Sequence, residues 1–390
     1  MSGADAAGAG GVAASASGAS GAAAGASGAI VPGPWRMPAE TETHERTWMA
    51  FPTAGYTLGD TEAEAEEART AWAAVANAVA EFEPVTIVVD PSAVQDAKRH
   101  LSGAVTIEVA PLDDAWMRDI GPTFVVPVAG ETRGAGVGHP AGSGSADSGL
   151  GAVDWIFNGW GAQEWASWKH DGLIGGTVGA LAGASVVSSL LVNEGGAIHT
   201  DGDGTVLVTE TVQLDAGRNP YATRERVEAE LARTIGARKV IWLPRGLTRD
   251  YEEFGTRGHV DMVASMPSPG VVLVHAQQDP LHPDFAVSEA VRSVLSSAET
   301  ASGAPLEIVD LPAPRQLRDE LGFVDYSYVN HYVVNGGVIA CGFGDAEDDA
   351  RAASVLASVY PGRSVVTVDA LPIFARGGGI HCITQQQPAL

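Results

Sequence analysis

Positive charge is scarce in this chain. Lys and Arg total 23 against 48 Asp and Glu, a formal net charge of -25 over 390 residues. A field of that sign repels nucleic acid and anionic lipid and attracts cations. No apolar run reaches membrane-spanning length, so neither nucleic acid nor a membrane is expected as a partner. Cysteine is nearly absent: Cys341 and Cys382 are the only two, which excludes a secreted disulfide framework. Aromatic residues make up 6% and charged residues 18%, while apolar residues reach 45%, enough to bury a large core. No Lys or Arg precedes Arg36, so the basic start of a secretory signal is missing and the cytoplasm is the default compartment. Of the first 30 residues, 26 are Ala, Gly or Ser. With almost nothing bulky to bury, residues 1–33 read as a flexible tail and 34–390 as one folded domain.

What is present is a recurring phrase of helix, strand, polar tip and hairpin. Helical patterns run over Thr61–Phe82, Gln163–Leu181, Tyr221–Ile235, Asp284–Ser297 and Ala346–Val359. Each leads to a β-branched run, VTIVVD at 85–90, ASVVSS at 184–189, KVIWLP at 239–244, LEIVDLP at 306–312 and SVVTVDA at 364–370, which reads as a buried strand. Polar tips follow: DDAWMRD at 113–119, NEGG at 193–196, RGHVD at 257–261, YSYVN at 326–330 and GGGIHC at 377–382. Four tips precede a hairpin, with turn signals DGDG at 201–204, PSPG at 267–270 and Asn335–Gly336, and a long Gly/Ser-rich loop near 129–150. The fifth has no room for one before Leu390. Its partner is expected to be TWMAFP at 47–52, pairing with HCITQQ at 381–386 and removing the exposed edges of a linear array. The expected fold is therefore α/β, a closed five-fold pseudosymmetric ring of ββαβ units, with the tips converging on one mouth.

That convergence would gather Asp119, Glu194, His259, Asp261 and Cys382. A lone cysteine is most often a small buried hydrophobe, and Cys341, in an apolar strand, is read so. Cys382 differs because Gly377–Gly379 lets a ligand approach the backbone and His381 adds non-core chemistry. His259 and Asp261 alternate along an expected strand start, which points both to one side. An imidazole there can shuttle protons near neutrality. The bland alternatives are a satisfied structural His and surface or turn-capping carboxylates. Metal is disfavoured because the Cys and His residues lack zinc-site spacing. Three carboxylates would raise the thiol pKa and weaken the nucleophile, unless the substrate is itself a cation that forks toward carboxylates, such as a guanidinium.

At these residues the chain resembles the agmatine deiminase family, within the pentein group of guanidino-modifying enzymes that includes arginine and peptidylarginine deiminases. The matching stretches are MPAE at 37–40, TWM at 47–49, DDAWMRDIGPTFVV at 113–126, EGGAIHTDGDGT at 194–205, GHVD at 258–261, FGD at 343–345 and GGGIHCITQQQP at 377–388. The resemblance implies a pentein propeller and a hydrolase that converts agmatine to N-carbamoylputrescine and ammonia, a step toward putrescine. It implies Cys382 as nucleophile, His259 as acid and base, Glu194 holding His259, and Asp119 and Asp261 binding the guanidinium with Trp116 alongside. It implies a small cationic guanidino substrate, no cofactor and no metal; homo-oligomerisation is compatible with it.

Two segments depart from the family. Phe51–Tyr56 stands where a Trp-Pro-Glu-Arg type segment and an Asn-Trp pair are usual, and Arg257 replaces an Asn before GHVD. Arg257 is either a substrate-binding residue for a carboxylate tail or a cation paired with Asp250, Glu252 or Glu253. The rival readings are a deiminase of free arginine, a guanidino acid or peptidyl-arginine, and a non-catalytic binding protein on the same fold.

Overall fold

The computed structural model describes residues 33–128 and 149–390. All but Gly33 of the expected tail, and most of the Gly/Ser-rich loop, lie outside the described residues.

One strand topology recurs in five sheets. In each, a central strand pairs antiparallel with one neighbour and parallel with another. The central strands are Gly151–Ile156, Thr205–Thr209, Val271–Ala276, Gly337–Gly342 and His44–Ala50. Their antiparallel partners are Thr123–Pro127, Ile198–Thr200, Ala264–Ser268, Tyr332–Val334 and Thr384–Pro388. Their parallel partners are Ser185–Val192, Lys239–Leu243, Glu307–Pro312, Ser364–Asp369 and Val85–Val89. A parallel neighbour needs a crossover. Ile174–Leu181, Arg224–Ile235, Pro283–Ser297, Ala346–Val359 and Glu62–Ala80 supply it.

The pairing expected between the chain's two ends is present: Thr384 lies opposite Met49 and Gln386 opposite Thr47. Trp48 Nε1 donates to Gln387 Oε1 at 2.9 Å across the same pair. The helix Glu62–Ala80 shows why these sequences settle where they do. Thr61 and Glu64 form a reciprocal capping box at its start. Ala65, Ala68, Trp72, Val75, Ala76 and Val79 then form one buried stripe at helical spacing.

Three expectations need correction. The segment Gln163–Leu181 is helical only over Ile174–Leu181. Gly172, Gly175 and Gly176 weaken a longer helix, and the residues before it cover the site instead. The β-branched runs are not all buried. Val85–Val89 is, because Thr106–Val109 adds a further strand outside it. Ser185–Val192, Glu307–Pro312 and Ser364–Asp369 are sheet edges with many half-exposed positions. Residues 259–263 do not begin a strand: Val260–Met262 is a 3-10 turn and the strand starts at Ala264. Among the described residues no helix is long and apolar enough to cross a membrane.

Candidate active site

Each of the five tips lies just before the antiparallel strand of its sheet, and most close with a single tight turn. The turns are Met117–Ile120, Gly195–Ala197, Val260–Met262 and His381–Ile383; Asn330 occupies the remaining tip. The tips gather the functional side chains where the antiparallel strands begin. Asp119, Glu194, His259, Asp261 and Cys382 all meet this way, every one of them buried.

Cys382 Sγ lies 3.7 Å from Asp261 Oδ2 and receives Asn330 Nδ2 at 3.3 Å. His259 Nε2 lies 3.2 Å from Glu194 Oε2, and its Nδ1 is 3.8 Å from Asp119 Oδ1. Asp119 accepts from Trp160 Nε1 at 2.9 Å and from the Gly196 amide at 3.1 Å. Gly196 is required by close approach. A Cβ there would stand 2.5 Å from His259 Nδ1 and 3.0 Å from both Asp119 and Asp261. Gly378 likewise abuts Trp116 and Cys382.

The charges are arranged in pairs. Arg218 Nε donates to both Glu194 oxygens, at 2.9 and 3.0 Å, and its charge outweighs burial to hold Glu194 below the usual carboxylate range. Burial would also raise Asp261, but the hydrogen bond and charge of His381 outweigh it and lower its pKa. For Asp119 burial, helped by the charges of Glu194 and Asp261, outweighs the nearby His259 and pushes it up to about 6. Burial works against the His259 imidazolium, yet Asp119 and Glu194 push it up to about 9. The Cys382 thiol is raised well above its ordinary value by burial, then by Asp261 and Asp119. The resting nucleophile is therefore a neutral thiol beside an imidazolium. Two buried polar atoms here have no hydrogen-bond partner, His259 Nδ1 and Asp261 Oδ1. Such atoms are costly unless a ligand or water satisfies them.

A small, tight cavity lies in front of the thiol, lined by Tyr56, Trp116, Asp119, Trp160, Phe254, Thr256, Gly377 and Cys382. Its wall carries one acid and no base. Tyr56 stacks on Phe254 at 4.5 Å and Trp160 on Trp165 at 5.3 Å. Gln163 Nε2 donates to Gly255 O at 2.7 Å, which ties the two covering loops together. The four non-glycine residues with positive φ among those described, Trp160, Ala162, Phe254 and Arg257, all lie in these loops. Backbone strain of this kind costs about 1–3 kcal/mol per residue and gathers at functional sites.

Arg257 does not line this cavity. None of the three acids expected beside it faces its guanidinium; Nη1 instead lies 3.7 Å from Asp215, on a side chain 40% exposed. Asp250 is already committed, accepting from Thr256, Gly258 and His259, and so holds the loop that presents His259. The Arg257 φ of +69° also accounts for the Asn usual there, since Asn tolerates the left-handed region. Sequence reasoning passed over Asn330, Glu40, Arg218, Trp160 and Asp250. Asn330 ended the fourth tip and Glu40 lay in MPAE, so both carried a positional signal. Arg218 and Asp250 carried none. Cys341 is buried in its strand and its thiol is pushed up to about 12 by burial, in keeping with a packing role. Both cysteines are free.

Five sheets of one topology, with a buried thiol, imidazole and carboxylates at their tips, define a pentein-group hydrolase acting on guanidino C–N bonds. The chain belongs to the Porphyromonas-type peptidyl-arginine deiminase family, whose model matches residues 36–388. It is 54% identical to a Streptomyces coelicolor protein named "Putative agmatine deiminase", over 90% of this chain and 98% of that one. It is 36% identical to the agmatine deiminase of Medicago truncatula, over 91% of this chain and 96% of that one. The solved agmatine deiminase of Enterococcus faecalis superposes with a TM-score of 0.79 at 30% identity, covering 91% of this chain and 96% of that one.

Proposed function

We propose that this chain hydrolyses agmatine to N-carbamoylputrescine and ammonia through a covalent thiouronium on Cys382. The observation that carries the reading is the charge of the site. A neutral thiol sits beside Asp119 and Asp261 in a cavity whose wall has no base. A guanidinium entering between the carboxylates offsets their charge and favours the thiolate. The aromatic wall suits the aminobutyl tail: its methylenes pack on the rings, and an ammonium is attracted to their faces. A substrate ending in a carboxylate finds no counter-charge on that wall.

Asp119 and Asp261 hold the guanidinium nitrogens, with Trp116 flanking them. With the substrate cation bound the Cys382 thiol loses its proton to solvent, and the thiolate attacks the guanidinium carbon to give a tetrahedral adduct. Its C–N bond breaks as His259 gives a proton to the departing ammonia, leaving the thiouronium. His259, now neutral, takes a proton from water, which adds to the same carbon. The C–S bond then breaks as the hydroxyl proton leaves, releasing the ureido product and the thiolate, which takes up a proton again once the site is empty. Glu194, fixed by Arg218, orients His259. Arg257 remains a candidate contact for the far end of a longer substrate. The architecture that suits this chemistry is a closed five-fold propeller built from residues 34–390 as one domain, acting in the cytoplasm without nucleic acid, membrane, metal or cofactor. The end-to-end strand pairing supports closure.

Ammonia and ureido product are to be measured with agmatine, arginine, 4-guanidinobutyrate and a peptidyl-arginine. Agmatine is expected to lead. Cys382→Ser should lower turnover by more than about a thousandfold while the protein still folds, because a hydroxyl pKa is far too high to supply the anion. Release of ammonia by that variant within tenfold of wild type sinks the assignment. A preference for a carboxylate-bearing substrate overturns agmatine and leaves the deiminase chemistry in place.

A further inference from the structure

A second small cavity is lined in part by Glu40, His199, Asp261, His331, Tyr360 and His381, and shares none of the aromatic wall. Through its wall runs an unbroken chain of buried groups. Asp261 Oδ2 meets His381 Nδ1 at 2.8 Å, and His381 Nε2 meets Glu40 Oε2 at 2.9 Å. The backbone of His381 is fixed independently, its N–H donating to Asn330 Oδ1 at 3.0 Å. Both imidazole nitrogens therefore face carboxylates, a setting that holds the ring as a doubly donating imidazolium. Because Oδ2 of Asp261 is taken by His381, Oδ1 is left without a partner.

We propose that Glu40 and His381 are positioning residues for the guanidino reaction. His381, clamped between two carboxylates, keeps Asp261 ionised in a buried site and turns it so that one oxygen stays free for the substrate cation. This rests on the guanidino reading above and adds two residues to it. An unpaired Asp261 would be neutralised by burial, and a neutral carboxyl has little hold on a guanidinium. The other groups around His381 are accounted for. Arg118, from the turn Met117–Ile120, reaches the His381 carbonyl through Nε at 3.3 Å and Glu40 through Nη2 at 3.6 Å. His199 approaches His381 with ring centres 6.2 Å apart. His199 and His331 are both lowered to about 4, by burial first, and stay neutral. Arg118 and burial work against the His381 proton; Glu40 and Asp261 outweigh them.

The test is alkylation of Cys382 by chloroacetamidine, a cation, against iodoacetamide, which is neutral. Glu40→Gln keeps an acceptor for the Val333 amide that Glu40 Oε1 now holds at 2.8 Å, but its amide N–H cannot face an imidazolium. The cationic-to-neutral rate ratio should fall about tenfold near neutral pH, the loss that follows once the Asp261 pKa stands about one unit above the pH of measurement. It should recover as pH rises and Asp261 ionises again, so the acid limb of cationic labelling moves to higher pH. Glu40→Asp, which keeps the charge, should restore most of the ratio. If Glu40→Gln does not fold, His381→Asn, whose amide nitrogen replaces Nδ1, should show the same loss. A wild-type ratio in a folded Glu40→Gln, or a loss equal at every pH that Glu40→Asp does not restore, overturns this inference alone. No preference for chloroacetamidine in the unmodified chain overturns the guanidino reading, and this inference with it.

Discussion

Asp119 and His259 approach to 3.8 Å, and the two are raised for different reasons. Burial lifts Asp119 to about 6, whereas carboxylate charge lifts His259 to about 9 against burial. In the free enzyme these two groups bound the working range of kcat/KM at about pH 6 and about pH 9, and inside it kcat/KM should rise with pH as the Cys382 thiol, raised well above its ordinary value, gives up its proton more readily. Below that window Asp119 gains a proton and loses its pull on the guanidinium. Above it His259 loses the proton that ammonia needs. Glu194→Gln removes an anion that raises both His259 and Asp119, so both limbs should move to lower pH. A pH profile of initial rates at low substrate reads both limbs; an unmoved alkaline limb would detach His259 from it. At this scale the glycines and His381 around it singled out Cys382 over Cys341, tip position set four side chains beside it, and the five lie together and buried in the fold. Sequence reasoning missed Asn330, Arg218 and Asp250 because their roles lie in what they touch.

At the scale of elements, the two loops over the mouth were the least legible part. The apolar spacing of 163–181 suggested one helix, yet only its second half is helical. The first half contributes Gln163 and Trp165 to the cover, where aromatic stacking and a cross-loop hydrogen bond decide the conformation. Phe254 sits there at φ +69°, a conformation that glycine adopts without strain. Phe254→Gly should thus preserve the melting temperature while removing the ring stacked on Tyr56. We expect KM for agmatine to rise about three- to tenfold, the worth of one aromatic contact, with kcat changed less. Steady-state kinetics and a thermal melt separate the two. A large fall in kcat at unchanged KM would show that the wall serves chemistry rather than binding.

Across the whole molecule the formal net charge is -25. Agmatine carries two positive charges at neutral pH, so encounter should be electrostatically assisted. Raising ionic strength from about 0.01 to about 0.15 M shortens the screening length from roughly 30 to 8 Å. The value of kcat/KM for agmatine should fall over that range, and that for a neutral or zwitterionic guanidino compound should fall less. A salt-independent ratio between the two would show that the acidic surface does not steer substrate.

The repeat of helix, strand, tip and hairpin was written in the sequence because periodicity and turn chemistry are local properties. So was the pairing of the chain's ends, which followed from one tip having room for a single strand after it and not for a hairpin. Which β-branched runs would be buried was not, since that depends on whether a further strand such as Thr106–Val109 lies outside them. Nor was the carboxylate that faces Arg257: Asp215 is distant in sequence, and the nearer Asp250 was already saturated by backbone amides. The protonation of the site belongs wholly to the tertiary structure. A pKa is set by burial and by charges a few ångströms away, and only folding brings Glu40, His381 and Asp261 into one line.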